Sequence, residues 1–262
     1  MAETTAKETV QQAQASVKQV IAPKPTRRYR ALVFQGYAIS AAVALAVLFV
    51  LVWNVPYFTI DLTVTRAVQT VSWPWFAVLM EIISYPGSAP QSFAIVGLVV
   101  VVLFAIGLRW ESVSTLIAAA GGSLADTLAK AIVHRARPGA DIVHVLQQVS
   151  GYSFPSGHVV FYAAFLGFLM FLAYTILKAR VAWRWAVFVI LGFFIATVGI
   201  SRIYLGAHWF SDVLGAYLLG SLWLILSIYI YNWGKSRFFV HQPAAPDARP
   251  ETPARRAADH SG

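Results

Sequence analysis

His208 and Asp212 stand four residues apart at the start of an apolar run, which places both on one face of a helix. A carboxylate in that position can keep one imidazole nitrogen protonated and leave the other free to attack phosphorus. His158 is a second imidazole, suited by its near-neutral pKa to protonate a leaving oxygen. Lys130, Arg137 and Arg202 are cations whose donors match phosphate oxygens, the guanidinium forks bidentately. Ser156 and Gly157 directly precede another apolar run, so backbone N–H groups at a helix N-terminus can face an anion there. Taken singly, each has a plainer reading. The cations can be anchors snorkelling to headgroups, the His–Asp pair can serve packing alone, and Ser-Gly-His is a common turn. A metal site built from His and Asp is a further alternative.

The elements that must position these residues are membrane spans. Of 262 residues, 58% are apolar and only 12% charged, against about 25% charged in soluble domains. That balance excludes a soluble enzyme, a disordered chain and a nucleic-acid-binding domain, despite a net charge of +9. With no cysteine there is no disulfide framework, thiolate nucleophile or Cys-ligated metal. Six apolar runs are long enough to be spans: Ala31 to Trp53, Gln91 to Leu108, Ser112 to Val133, Gly157 to Leu177, Trp185 to Ser201 and His208 to Tyr231. The segment from Asp61 to Ser84 carries Arg66, Pro74 and Glu81 among aromatics and reads as an interfacial helix in the first outer loop. Residues 1–30 read as a polar tail without a signal-peptide core, and 233–262 as a disordered tail.

Charge distribution sets the orientation. With six spans and a cytoplasmic N-terminus, 15 of the 20 Lys and Arg fall inside, and a seventh span would break the positive-inside rule. Lys130, Arg137, His158, Arg202, His208 and Asp212 then share one depth at the extracytoplasmic face. An ionisable group in a span costs about 2.5–3.5 kcal/mol or more and by default marks a functional site.

These residues also form a pattern. Lys130-x6-Arg137-Pro138, Pro155-Ser156-Gly157-His158 and Ser201-Arg202-x5-His208-x3-Asp212 resemble the three signature motifs of the type 2 phosphatidic acid phosphatase superfamily, integral-membrane lipid phosphatases related to soluble vanadium haloperoxidases. The motifs cover 130–212, and the six-span layout extends the resemblance to about 31–232, without the tails. The resemblance implies that His208 forms a phosphohistidine, His158 protonates the leaving group and Asp212 orients His208. It further implies that Lys130, Arg137, Ser156, Gly157 and Arg202 hold the phosphate, and that no metal or other cofactor is needed.

The expectation is therefore an all-α integral membrane protein, a bundle of six transmembrane helices. It hydrolyses the terminal phosphate of a lipid phosphate or diphosphate at the outer face of a bacterial inner membrane, with both termini cytoplasmic. Undecaprenyl diphosphate, phosphatidylglycerol phosphate and phosphatidic acid are the substrates the family suggests. A lipid phosphotransferase would share the first half-reaction. A proton-coupled transporter or channel would instead spread its ionisable groups through the membrane depth. The only partner expected is the membrane lipid, with no nucleic acid, and the sequence carries no signal for oligomeric state. Among neighbours, Asp126 is placed to aim or neutralise Lys130, while His134, Arg135, Asp141 and His144 can reach a headgroup or stay solvated. Trp53, Tyr57, Trp73, Trp75, Tyr204 and Trp209 read as an interfacial belt.

Overall fold

The computed structural model describes residues 25–177 and 182–238. The tail from 1 to 24, most of the basic 178–184 loop and the tail beyond 238 lie outside the described residues. Every described element is helical. Helix α1 is Pro25–Asn54, α2 Thr59–Gln69, α3 Pro74–Ser84, α4 Gln91–Ala105 and α5 Arg109–Val133. They are followed by α6 (Gly157–Ile176), α7 (Ala182–Tyr204) and α8 (Phe210–Phe238). Among the described residues, five helices are long and apolar enough to cross a membrane, or six if α3 and α4 form one bent span.

The departures from expectation fall in the first third and at the chain ends. The single interfacial helix anticipated over 61–84 is two helices, α2 and α3, separated by the turn that leads to Pro74 at the α3 N-terminus. The span expected from Gln91 to Leu108 closes at Ala105, and Gly107 takes φ +87 just beyond. Fifteen residues reach only about 22 Å, short of the ~30 Å hydrocarbon core. Helix α3 precedes it at a 52° bend through the Tyr85–Gly87 turn. Helix α1 begins six residues before the apolar run, and α8 runs to Phe238, past the expected end near 232.

Helix α8 is the hub, in contact with α1, α2, α5, α6 and α7. Close approach depends on residues without bulk, because dispersion contacts rather than hydrophobic burial hold helices together in lipid. A Cβ added at Gly220 would sit 2.7 Å from the Ala163 methyl, and one at Gly121 would overlap the Trp223 indole. Near the end of the bundle that holds the 134–156 loop, Ile83, Val159, Val160, Tyr162, Phe165, Val198 and Leu205 form a fully buried core. Over Tyr162–Leu166, α6 widens into a π-type turn, a feature that often marks functional sites. The Tyr162 hydroxyl there donates to the Ile83 carbonyl at 2.7 Å and ties α6 to α3. The floor of this end of the bundle is thus tightly fixed.

Candidate active site

Helix ends carry the side chains that the sequence singles out. Helix α5 ends at His134, which takes the left-handed conformation (φ 52) and donates its N–H to the Lys130 carbonyl. The chain therefore turns sharply, so that Arg135 and Arg137 follow Lys130 into the same region. Ser156 opens α6, Arg202 lies in the last turn of α7, and His208 sits in the turn before α8. That turn folds back on α7, since the N–H groups of Ala207 and His208 both donate to the Arg202 carbonyl. At Gly206, φ is +68 and an added Cβ would lie 2.3 Å from the His144 carbonyl oxygen, so glycine alone fits.

The contacts of His208 assign its tautomer. Nδ1 lies 2.8 Å from the Ser153 carbonyl, which can only accept, so Nδ1 carries the proton. Nε2 lies 3.1 Å from Arg137 Nη1, which can only donate, so Nε2 presents its lone pair. Burial pushes the imidazole down to about 3, against the opposing pull of Asp212. The ring is therefore neutral at physiological pH, with the Nε2 lone pair turned to Arg137.

Asp212 shares the helical face expected of it, but its Oδ2 is 3.6 Å from Nδ1, beyond hydrogen-bond reach. The direct His208–Asp212 bond is replaced by the Ser153 carbonyl. Asp212 acts one step away: Oδ2 accepts from the Ser153 hydroxyl and from the Trp209 N–H, while Oδ1 accepts from Arg135 Nη1 at 2.6 Å. A backbone acceptor has no sequence signature, which is why this link was not anticipated.

The three cations differ in how far the protein already partners them. Lys130 is clamped by both oxygens of Asp126, at 2.5 and 2.6 Å. A Cβ at Gly157 would lie 2.9 Å from Asp126 Oδ2 and 3.4 Å from Lys130 Nζ, so this ion pair rests against the α6 N-terminus. Arg137 bonds the carbonyls of Gly151 and Ala207 besides His208. Arg202 is fully buried, and its Nη1 donates to Ser84 Oγ at 2.5 Å and Gln147 Oε1 at 2.6 Å. Its Nε and Nη2, and the buried Ser156 hydroxyl, have no hydrogen-bond partner among the described residues. Orphaned donors of this kind cost about 1–3 kcal/mol each, a cost an incoming oxyanion would remove.

His158 contacts Ser88 Oγ through Nε2 at 3.1 Å, and an added Cβ at Gly87 would press on its ring at 2.6 Å. Arg202, His208, Lys130 and Arg137 all lie within its electrostatic range. Ser84, Ser88, Gln147 and Ser153 had not been singled out; single polar residues far along the chain give no pattern to read. Arg135 is buried rather than solvated and contacts two carboxylates. His134 is exposed with its ring edge on Tyr152, while Asp141 and His144 line a surface hollow with Arg66 and Gln69. Of the anticipated aromatic belt, Trp53, Trp73 and Trp75 are exposed, whereas Tyr204 and Trp209 are buried, bonding the carbonyls of Val71 and Ala136.

Two cavities meet these residues. One, of about 570 Å³, reaches Asp126, Gly157 and His158 and is otherwise lined mainly by apolar side chains of α4, α5 and α6, among them Phe93, Val96, Leu116 and Phe161. The other, of about 270 Å³, is lined by Arg137, Pro138, Gln147, Gln148 and Ala207. An apolar cleft between helices thus adjoins a cationic, histidine-bearing pocket, beside which lies a more polar hollow.

An all-helical, multi-pass membrane architecture with such a pocket defines a class of membrane enzyme that handles phosphate esters. Residues 98–236 match the pattern of the PAP2 superfamily, and the chain belongs to it. It is 28% identical to phosphatidylglycerophosphatase B of Bacillus subtilis (strain 168) over 167 residues, 63% of this chain and 80% of that one. An undecaprenyl-diphosphatase of Sulfolobus acidocaldarius is 38% identical over 84 residues, 32% of this chain and 35% of that relative. Among solved structures, the transmembrane PAP2-type phosphatidylglycerolphosphate phosphatase from Bacillus subtilis superposes with a TM-score of 0.64 at 25% identity, covering 75% of this chain and 98% of that one.

Proposed function

We propose that the protein is a lipid phosphate phosphatase that works through a phosphohistidine on His208 and without a metal ion. The observation that carries this reading is the set of buried, unpartnered donors. Arg202 Nε and Nη2 and the Ser156 hydroxyl accompany a histidine whose Nε2 lone pair is free of protons. In the reaction, the phosphate displaces Arg137 from Nε2 and takes its guanidinium as a ligand. Nε2 then attacks phosphorus, the P–O bond to the lipid breaks, and His158 gives its proton to the leaving oxygen. Water attacks the phosphohistidine next, passing a proton to His158 as the P–N bond breaks. Lys130, Arg137, Ser156, Gly157 and Arg202 hold the equatorial oxygens. Cations in these places supply the neutralisation that Mg²⁺ gives other phosphoryl-transfer enzymes.

The apolar cleft beside His158 suits the chain of a lipid, and the polar hollow beside Arg137 suits departing phosphate. Phosphatidylglycerol phosphate is the substrate favoured by the extent of similarity to the Bacillus subtilis relative, with undecaprenyl diphosphate and phosphatidic acid next. On this reading the site faces the extracytoplasmic side of a bacterial inner membrane, with both termini inside and α2 or α3 along the interface; the excess of Lys and Arg in the tails and the 178–184 loop supports that orientation.

The test is phosphate release by purified protein in excess chelator across these lipids. Turnover is expected to persist with chelator and to vanish in His208→Ala, whereas His158→Ala is hurt least on substrates with good leaving groups. A strict Mg²⁺ requirement, or robust turnover by His208→Ala, overturns the mechanism.

A further inference from the structure

The carboxylate of Asp61 is fully buried, yet it belongs to α2, outside residues 98–236 that match the family. Its Oδ2 accepts from Arg135 Nη2 at 3.0 Å, from the Ser211 hydroxyl at 2.9 Å and from the Phe58 N–H at 2.9 Å. Its Oδ1 accepts from the Ser211 N–H at 2.8 Å. Arg135 in turn donates Nη1 to Ser211 Oγ and Asp212 Oδ1, donates Nε to the Pro56 carbonyl, and lies over the Phe58 ring. One buried guanidinium thus sits between two buried carboxylates, one of which reaches the catalytic ring through Ser153. Buried groups this fully satisfied are rigid, and removing one member leaves the others exposed to a low-dielectric cost.

The charges in this cluster do not cancel. Asp61, Arg135 and Asp212 sum to a single negative charge beside a neutral imidazole. When Nε2 bonds phosphorus while Nδ1 keeps its proton, the ring becomes a cation. We infer that Asp61 is a positioning residue for the nucleophile. Through Arg135 and Ser211 it fixes the first turn of α8, and it leaves Asp212 only half neutralised, so that a net negative charge awaits the phosphorylated ring. This rests on His208 as nucleophile. Asp61 itself touches no substrate.

The experiment compares Asp61→Asn, Ser211→Ala and His208→Ala with the parent as full-length protein in nanodiscs, using phosphatidylglycerol phosphate and measuring kcat, KM and thermal midpoint. Asp61→Asn keeps shape but removes the charge. Its kcat is expected to fall about ten- to a hundredfold, the range known for losing the hydrogen-bond partner that orients a metal-ligating histidine, with KM within twofold. Ser211→Ala keeps every charge and the backbone bond to Asp61 but loses the hydroxyl that links Asp61 to Arg135; its kcat is expected to fall less than that of Asp61→Asn, and a fall as large or larger overturns the role given to the charge. A kcat for Asp61→Asn within threefold of the parent, or a rise in KM as large as the fall in kcat, overturns the inference. If Asp61→Asn does not fold, Arg135→Lys carries the test. It cannot bridge both carboxylates, so the same split of kcat from KM is expected, and an unchanged kcat overturns. His208→Ala separates the two levels: activity there sinks the phosphohistidine reading, whereas an inactive His208→Ala beside an unimpaired Asp61→Asn sinks this inference alone.

Discussion

Replacing Arg202 by lysine preserves the positive charge and removes the fork. In the resting protein one terminal nitrogen of Arg202 is spent on Ser84 and Gln147, and Nε and Nη2 remain for two parallel bonds to a phosphate. A lysine ammonium recovers at most one of these. The loss is one hydrogen bond to a charged group, about 1.5–3 kcal/mol, or roughly ten- to 150-fold in kcat/KM. The assay is phosphate release from phosphatidylglycerol phosphate together with thermal unfolding at increasing inorganic phosphate. The parent's midpoint rises with phosphate, because a ligand that binds only the native state stabilises it by mass action, and the lysine variant's rises less. A variant within threefold of the parent, with the same response to phosphate, would refute the assignment of the orphaned donors to substrate.

Other outcomes follow from the same geometry. His208 is neutral down to about pH 3 in the folded protein, while an unfolded histidine titrates near 6.5. A lowered folded value means that its stabilising contribution is intact above pH 6.5 and is lost as the pH falls towards 3; thermal midpoints of the parent should therefore drop more steeply below pH 6.5 than those of His208→Gln. Ala120→Phe fills the apolar cleft between α4 and α5; it should cut turnover of long-chain lipid phosphates at least tenfold and spare a short-chain soluble analogue, and equal losses on both would show that the chain does not lie there. Cysteines introduced at Val145 and Ala182 test orientation, since only the first should react with an impermeant reagent added outside intact cells.

The sequence disclosed what is periodic or local. Long apolar runs marked the five full-length spans, and Lys130, Arg137, His158, Arg202 and Asp212 stood out as ionisable groups where apolar ones belong. The i, i+4 relation of Asp126 to Lys130 became a real ion pair for the same reason, because helical spacing alone brings the two together. What stayed hidden depends on distant segments meeting. Asp61 and Arg135 are 74 residues apart, Gln147 reaches Arg202 across 55, and Ser88 reaches His158 across 70. The orienting acceptor for His208 is a main-chain carbonyl, to which any residue type could contribute. Tyr204 and Trp209 look alike in sequence to the exposed tryptophans, and only the packing of Phe76 of α3 on Tyr204 and of Tyr57, between α1 and α2, on Trp209 decides that they are core.

The contact between Arg137 and Nε2 of His208 has a consequence for selectivity in time. Under the mechanism proposed above, the nitrogen that would attack phosphorus is sheathed between cycles by a guanidinium, which leaves its lone pair less open to other electrophiles. On that proposal, a guest with oxyanions to offer the guanidinium would draw it aside, so one side chain would serve both as cradle for the cargo and as the lock that the cargo opens.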